Sequence, residues 1–588
     1  MGVRLIYDGD CGLCRYTVDY ARSVTLNRIE YCPYQDVEDE YPDIDASEFA
    51  ASIYLIDGDR RRKGAEAAFE TLAIGGLGLW RWLYRRLPGF APLSEKLYRW
   101  VSTHRELCHR LAKPLFGRRW IRRPHVNTVD LVSRGIHLCG AIAFASFWWQ
   151  AVALIGPDGI LPARAYLEAV EAQFGLERYA FLPTLLWLDA SNGALHLICA
   201  AGLAATLVGL FGRLRMTTAL VGYVCYLSLV HGGQTFTGYQ WDVLLVECFA
   251  LAAVAARAPT AGIWLARLLL FRFMLLSGAV KLLSGDPTWA DASALSYHFE
   301  SQPLPTVLAW YAHHLPAGVL KFGVVATFVI ELVLAFFVFL PRNPRLVAAA
   351  GFIFLEVLIL LTGSYNFFNL LTIVLCIALL DDGIVRRPRA RAVLAGPHRI
   401  TRVLAGVVVV LGLIQVSTTL TRRPGPEIAR MLQPWMLANS YGLFAVMTTD
   451  RRELIIEGST DGQTWRAYEF PFKPGRLDQA PRLAAPHQPR VDWQMWFAAL
   501  TRPEHARWIY NFAIALLQAN PTVLELVDDP FDGEPPQQVR ILSYRYRFTT
   551  PHERVTDNNW WQREPPEIWM GPIRLRPRGL GDDPISVP

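Results

Sequence analysis

The run Asp8-Gly9-Asp10-Cys11-Gly12-Leu13-Cys14 carries the most specific local chemistry in the 588-residue chain. An apolar stretch at 3–7 precedes it and reads as a short strand. The residues at 11–23 read as a helix that the first cysteine opens. A thiol at a helix start sees free N–H groups and the positive end of the helix dipole. Both favour the thiolate, the nucleophile of disulfide exchange. Cys14 stands one turn further on, where it can resolve a mixed disulfide with Cys11, and Asp8 takes a supporting place beside the pair. A metal site is the competing reading. It needs about four ligands, and Cys32 is the nearest third with no clear fourth, so no metal site is expected.

A second group of residues is chemical because of where it falls. Asp242, Glu247, Arg272, Lys281, Glu331 and Glu356 lie inside or beside long apolar stretches. Ionised groups are costly in hydrocarbon, so they pair or line a polar cavity. Glu247 and Arg272, about 25 residues apart on neighbouring spans, are placed to pair. Asp242 and Lys281 lie near span ends, where they can reach water. Two readings stay open: ion pairs that fix helix packing, and a substrate or catalytic role. His231, His298, His313 and His314 show no metal-ligand spacing. No GxSxG, Walker or Rossmann pattern occurs, and nothing in the sequence calls for a cofactor.

Composition sets the frame for these residues. Only 19% of residues are charged and 52% are apolar, which excludes a disordered chain and argues against an ordinary soluble enzyme. The net charge of +6 is small, and no basic run is interleaved with aromatics, so nucleic acid is not a partner. No cysteine follows Cys376, so the last 200 residues hold no internal disulfide. There is no Asn-x-Ser/Thr sequon, and the first residues predict no cleaved signal peptide.

The elements that must position these groups follow from periodicity. Nine apolar stretches are candidate spans, at 132–154, 193–211, 216–231, 240–257, 261–284, 318–340, 346–363, 366–381 and 402–420; the third, fourth and eighth are short. Lys and Arg concentrate in alternate connections. Arg118, Arg119, Arg122 and Arg123 precede the first span, and Arg386, Arg387, Arg389 and Arg391 crowd the eighth connection, whereas 231–239 and 362–366 carry neither. This alternation predicts a cytoplasmic amino end and an extracytoplasmic carboxyl end. Past residue 421 the chain is Pro- and Trp-rich. Alternating runs at 453–458 and 465–470 flank Asp461-Gly462, a hairpin signal. The stretch 494–518 reads as one or two helices broken near Pro503, and 539–548 as a strand. Trp493, Trp496 and Phe497, with further tryptophans at 508, 560, 561 and 569, are candidates for an aromatic client-binding surface or for core.

Two resemblances extend this reading. YDGDCGLC at 7–14, KGAEAAFETL at 63–72 and LYRWVSTHRELC at 97–108 resemble the thiol–disulfide oxidoreductase DCC family, which implies a thioredoxin-like fold over 1–115 and redox roles for Cys11 and Cys14. No proline stands immediately before the strand at 51–56, where thioredoxin-like enzymes set a cis-proline against the active-site pair. LIGPDGILP at 154–162, YQWD at 239–242 and RFMLLSGAVKLLSGDPTW at 272–289 resemble the lipase maturation factor family. So do ALSYHFESQPLPTVLAWYAHHLP at 294–316, NSYGLFAVMTTDRRELIIEGSTDG at 439–462 and APHQPRVDWQMWFAAL at 485–500. That resemblance covers about 130–570 and implies action in the maturation of exported lipases, with the carboxyl-terminal domain contacting the client.

The expected fold is therefore multi-domain. An α/β thioredoxin-like domain occupies 1–115 and a basic juxtamembrane linker 116–130. A polytopic helical membrane domain of about nine spans occupies 131–420, and an extracytoplasmic α+β domain 421–588. The expected function is a membrane-embedded maturation factor fused to a CxxC redox or redox-sensing domain. Its partners are an exported client, the bilayer and a thiol redox partner. The fusion and the missing sequons suggest a bacterial inner membrane. Two alternatives are an oxidoreductase acting through Cys11 and Cys14, and a membrane enzyme of the gamma-carboxylase-related superfamily using Lys281 as its base.

Overall fold

The computed structural model describes residues 2–26, 28–385, 399–575 and 585–586. Arg386, Arg387, Arg389 and Arg391, on which the charge alternation leans, lie outside the described residues. The chain forms two compact units. The first holds 1–124 with the short segments 339–347 and 381–383, and the second holds the rest.

In the first unit, β1 (Arg4–Tyr7), β2 (Glu30–Pro33), β3 (Tyr54–Asp57) and β4 (Arg60–Lys63) form a sheet of order β2-β1-β3-β4. The β1–β2 pair is parallel and the others antiparallel. Leu5, Ile6 and Leu55 fill its core. The helix Gly12–Thr25 follows β1 directly, capped by the Cys11 side chain.

In the second unit a helix coincides with every one of the nine expected spans, but six of them are long and apolar enough to cross a membrane. These are Val126–Trp148, Asn192–Leu210, Pro259–Leu283, Ala317–Phe337, Arg342–Thr362 and Arg399–Thr421. The other three expected spans fall short of that measure. Arg215–Gly232 and Gln240–Arg257 have 18 residues each and carry too many polar groups, and Phe368–Leu379 is shorter. Pro259–Leu283 is the axis of the bundle, with 78% of its apolar stretch buried, whereas only 11% of that of Arg399–Thr421 is buried. Large apolar side chains such as Phe322, Phe354 and Leu413 are exposed on the outer helices, as a lipid-facing surface requires. The helix Ala317–Phe337 contains a wider π-helical turn at Val329–Val333, and Glu331 sits inside it.

The carboxyl-terminal region is built on an antiparallel sheet of order β10-β9-β7-β5-β6, with β8 against β7. Its strands are β5 (Arg451–Ser459), β6 (Arg466–Tyr468), β7 (Gln538–Phe548), β8 (Trp561–Arg563), β9 (Glu567–Leu575) and β10 (Ile585–Ser586). The expected hairpin is β5–β6. Asp461 Oδ1 accepts the N–H groups of Gln463 and Thr464, and Gly462 supplies the positive φ of 73° that the turn demands. The expected helical stretch is two helices, Arg490–Ala499 and Arg507–Leu517, separated at Pro503.

Candidate functional site

The membrane-depth charges are all paired or hydrogen-bonded, and their partners come from two directions. Glu247 and Arg272 form the expected ion pair between neighbouring helices. Residues beyond 421 complete it. The Arg272 guanidinium donates to the Asn439 carbonyl at 2.8 Å, and Glu247 Oε2 accepts from the Asn439 N–H and amide at 3.0 Å and from the Tyr441 hydroxyl at 2.8 Å.

Asp242 and Lys281 were expected to reach water, and the structure corrects both: they are buried. The physical reason is that the carboxyl-terminal region covers the helix ends. Arg490, at the start of Arg490–Ala499, reaches Asp242 with two parallel bonds of 2.7 and 2.8 Å, and Tyr226 donates to the same carboxylate at 2.5 Å. Such a fork-to-fork pair is strong and geometrically exacting. Polar groups continue the seam. Ser146 Oγ accepts from the Gln488 N–H at 2.9 Å and meets His487 Nδ1 at 2.9 Å, while Gln150 accepts from the Arg490 N–H and donates to the Gln488 carbonyl, both at 2.8 Å. Burial pushes His487 down to about 4. Further along, Arg451 donates to the carbonyls of Glu300, Gln302 and Pro303 while paired with Glu453.

Lys281 gives its donors to both oxygens of Glu331, at 2.8 and 2.7 Å, and to the Ser277 carbonyl at 3.1 Å. An ammonium so held is a charge partner rather than a free base. The π-helical turn is what brings Glu331 to it.

These groups meet the aromatic residues at one cavity of about 370 Å³ between the membrane helices and Arg490–Ala499. Ser277, Glu331, Glu356 and Asn369 lie on the helix side, and Trp493, Trp496 and Phe497 on the other. Trp493 is buried and Trp496 half-buried, with its indole donating to the Ser301 carbonyl; Phe497 alone of the three is exposed, at 39%. The expected aromatic surface is therefore mostly a cavity wall. Among the described residues, five buried polar atoms of the lining find no hydrogen-bond partner: Tyr239 Oη, Trp241 Nε1, Ser277 Oγ, Asn369 Oδ1 and Trp493 Nε1. Each such atom costs on the order of 1–3 kcal/mol. Arg490, Asn439 and Tyr441 escaped the sequence reading because they lie outside any apolar span; the only signal was the unsatisfied charge each one answers.

In the first unit, Cys11 Sγ accepts the Cys14 N–H at 3.2 Å, so the sulfur sits on the helix start as the motif predicts. A Cβ on the intervening Gly12 would come within 2.9 Å of the His109 ring, so a larger residue there requires that ring to shift. Asp8 accepts the Asp10 N–H at 3.0 Å and holds Arg105 at 3.0 Å. Burial, then the hydrogen bond and charge of Cys11, push the Cys14 thiol up to about 12. Behind it lies a largely apolar cavity of about 470 Å³, bounded by Cys14, Ile53, Tyr98 and Arg105 among others. Arg105 was not singled out in the sequence, although it lies in the 97–108 motif. Among the described residues no group of three His, Cys, Asp or Glu side chains is placed to hold a metal ion.

Taken together, the apolar helices and the terminal sheet keyed onto them by buried charge define a multi-pass membrane protein carrying a separate thiol unit. Residues 128–387 match the family model of the lipase maturation factor transmembrane domain, and 437–570 that of the lipase maturation factor C-terminal domain. Residues 5–111 match a DCC1-like thiol-disulfide oxidoreductase. Lipase maturation factor 2 of Xenopus laevis is 33% identical over 77% of this chain and 82% of its own length, and that of Homo sapiens 33% over 76% and 82%. Lipase maturation factor 1 of Bos taurus is 31% identical over 78% and 90%. The chain belongs to the lipase maturation factor family. No solved structure matches it.

Proposed function

We propose that the protein is a membrane-embedded maturation factor that assists the folding of exported lipase-type proteins. The observation that carries this reading is the match in order to both the membrane and the carboxyl-terminal domains of lipase maturation factors. The buried ion pairs support a single working body made of both parts. The client surface is an exposed apolar patch of the carboxyl-terminal region: Val446, Leu500 and Ile568 line one open cleft, and Val446 with Phe497 also lines the cavity against the membrane helices. Charge alternation supports a cytoplasmic thiol unit and an extracytoplasmic client surface. The missing sequons and the thiol fusion favour a bacterial inner membrane. The test is the specific activity of a secreted lipase of the same organism, in cells with and without the chain. Activity that depends on the chain and falls when Val446, Leu500 and Ile568 become Ser supports the reading. Lipase activity indifferent to the chain refutes it.

A second reading, thiol–disulfide exchange through Cys11 and Cys14, is favoured by the sulfur on the helix start and the half-buried second thiol beside it. Cys11 is the attacking group and Cys14 the resolving one. Secretion that survives Cys11→Ser and Cys14→Ser assigns this unit a task apart from maturation.

A further inference from the structure

We propose that the cavity between the membrane helices and Arg490–Ala499 binds the head group of a zwitterionic phospholipid. This goes beyond the maturation reading and does not depend on the client.

Only one of the two carboxyl groups on the helix side of the cavity has a cationic partner among the described residues. Lys281 is consumed by Glu331, and Glu356 has no ion-pair partner among the described residues. Its one hydrogen bond comes from Asn369 Nδ2 at 2.7 Å, although the residue is only 4% exposed. Glu356 is thus a buried carboxyl group with no cationic partner among the described residues, and a cation entering the cavity would supply one.

The walls are of the kind that receive one. Trp241 and Trp493 meet edge to face at 4.8 Å, Tyr239 stacks on Trp241 at 4.4 Å, and Tyr365 stands 5.6 Å from Trp493. Aromatic rings that line the same cavity as a carboxyl group attract an ammonium group laid against a free ring face. The same walls hold the two unpartnered indole donors, Trp241 Nε1 and Trp493 Nε1. These need oxygen acceptors, which a bare amine lacks and a phosphate or ester supplies. A head group with an ammonium at one end and phosphate oxygens a few bonds away answers both demands.

Depth and shape favour a lipid over the side chain of a soluble client. Glu356 lies six residues, about 9 Å, inside the end of Arg342–Thr362. Leu355 and Ile359 of the same helix line the cavity, and their neighbours Phe354 and Leu358 are exposed on the apolar outer surface. Acyl chains leaving past Leu355 and Ile359 would remain in hydrocarbon. A volume of about 370 Å³ holds a head group rather than a whole lipid.

The test is native mass spectrometry of the delipidated full chain in detergent, titrated separately with phosphatidylethanolamine, phosphatidylcholine and phosphatidylglycerol of identical acyl chains. The expected result is at least tenfold tighter retention of one or both zwitterionic lipids than of phosphatidylglycerol. Ethanolamine alone assigns recognition to a hydrogen bond with Glu356, and choline as well assigns it to the aromatic rings; either supports the proposal. Glu356→Gln should lower retention about tenfold, as should Trp493→Phe, which takes away the N–H donor with part of the ring; unfolding temperatures equal to wild type in both variants guard against a folding defect. Equal retention of phosphatidylglycerol overturns the proposal. So does retention unchanged in both variants, or a lysine-bearing peptide binding the site where no zwitterionic lipid is retained.

Discussion

At the scale of single residues, the two cysteines of the motif differ sharply. Cys14 is held protonated by burial and by its neighbour, with its thiol pushed up to about 12. In Cys11→Ser protein, which removes the neighbour's share and leaves that of burial, alkylation of Cys14 at pH 8 should still run on the order of tenfold slower than that of an ordinary exposed thiol and rise with pH. Pseudo-first-order maleimide kinetics across pH 7–11 measure this, and rapid labelling of Cys14 at pH 8 contradicts it. Lys281 makes a second residue-scale case. Bound by both oxygens of Glu331, it should tolerate neutralisation only in company. Lys281→Met alone leaves a buried carboxylate and should cost about 3–5 kcal/mol, whereas Lys281→Met with Glu331→Leu should restore most of it. Thermal unfolding in detergent separates the two, and equal destabilisation by the single and double changes would refute the pairing. The motif residues were legible because their chemistry is local. The partner of Lys281 was not, because a π-helical turn in a neighbouring helix sets it and hydropathy does not register that turn.

At the scale of elements, the seam of buried charge joins the membrane helices to the carboxyl-terminal region. Arg490→Met should destabilise the whole second unit by about 3–5 kcal/mol, because it strands Asp242 without a counter-charge. A melt that loses only the carboxyl-terminal sheet would show that the seam is not shared. The seam should also respond to acid. His487 has its proton affinity lowered to about 4 from an ordinary value near 6.5. Its contribution is therefore complete above about pH 6.5 and is lost as pH falls toward 4. Asp492, pushed up to about 6 by burial, works in the opposite sense: its contribution is present below the ordinary carboxylate range and lost as pH rises through 6. His487→Gln should flatten the fall in Tm between pH 6.5 and 4 relative to wild type; an identical acid profile would remove His487 from the account. The β5–β6 hairpin, the β7 strand and the break at Pro503 were legible from alternation and turn residues. The strands β2 and β4 were not, since four residues such as EYCP and RRRK show no alternation and gain their place from β1 and β3.

At the scale of the whole molecule, the number of crossings decides which side each end faces. Six spans return both ends to one side, and nine separate them. The six long apolar helices do not fix the parity alone, because Arg215–Gly232, Gln240–Arg257 and Phe368–Leu379 are short or polar by composition and shielded by their neighbours. The membrane region was legible as helices but not as a count of crossings, since hydropathy reads lipid contact and these helices have little. With nine crossings, a membrane-impermeant maleimide applied to intact cells should spare Cys11 and label a single cysteine placed at Ile568 in a background free of other cysteines. Labelling at both positions moves the thiol exchange reading to the client's side. The pairing of Asp242 with Arg490 also bears on how the chain is made. The two residues are 248 positions apart. At roughly 5–20 residues per second, a ribosome takes on the order of 12–50 s to deliver the arginine after the aspartate. Through that interval the helix must wait with its carboxylate unanswered, so a chain stopped before Arg490 never leaves that state and should be drawn to membrane quality control rather than persist as a working half.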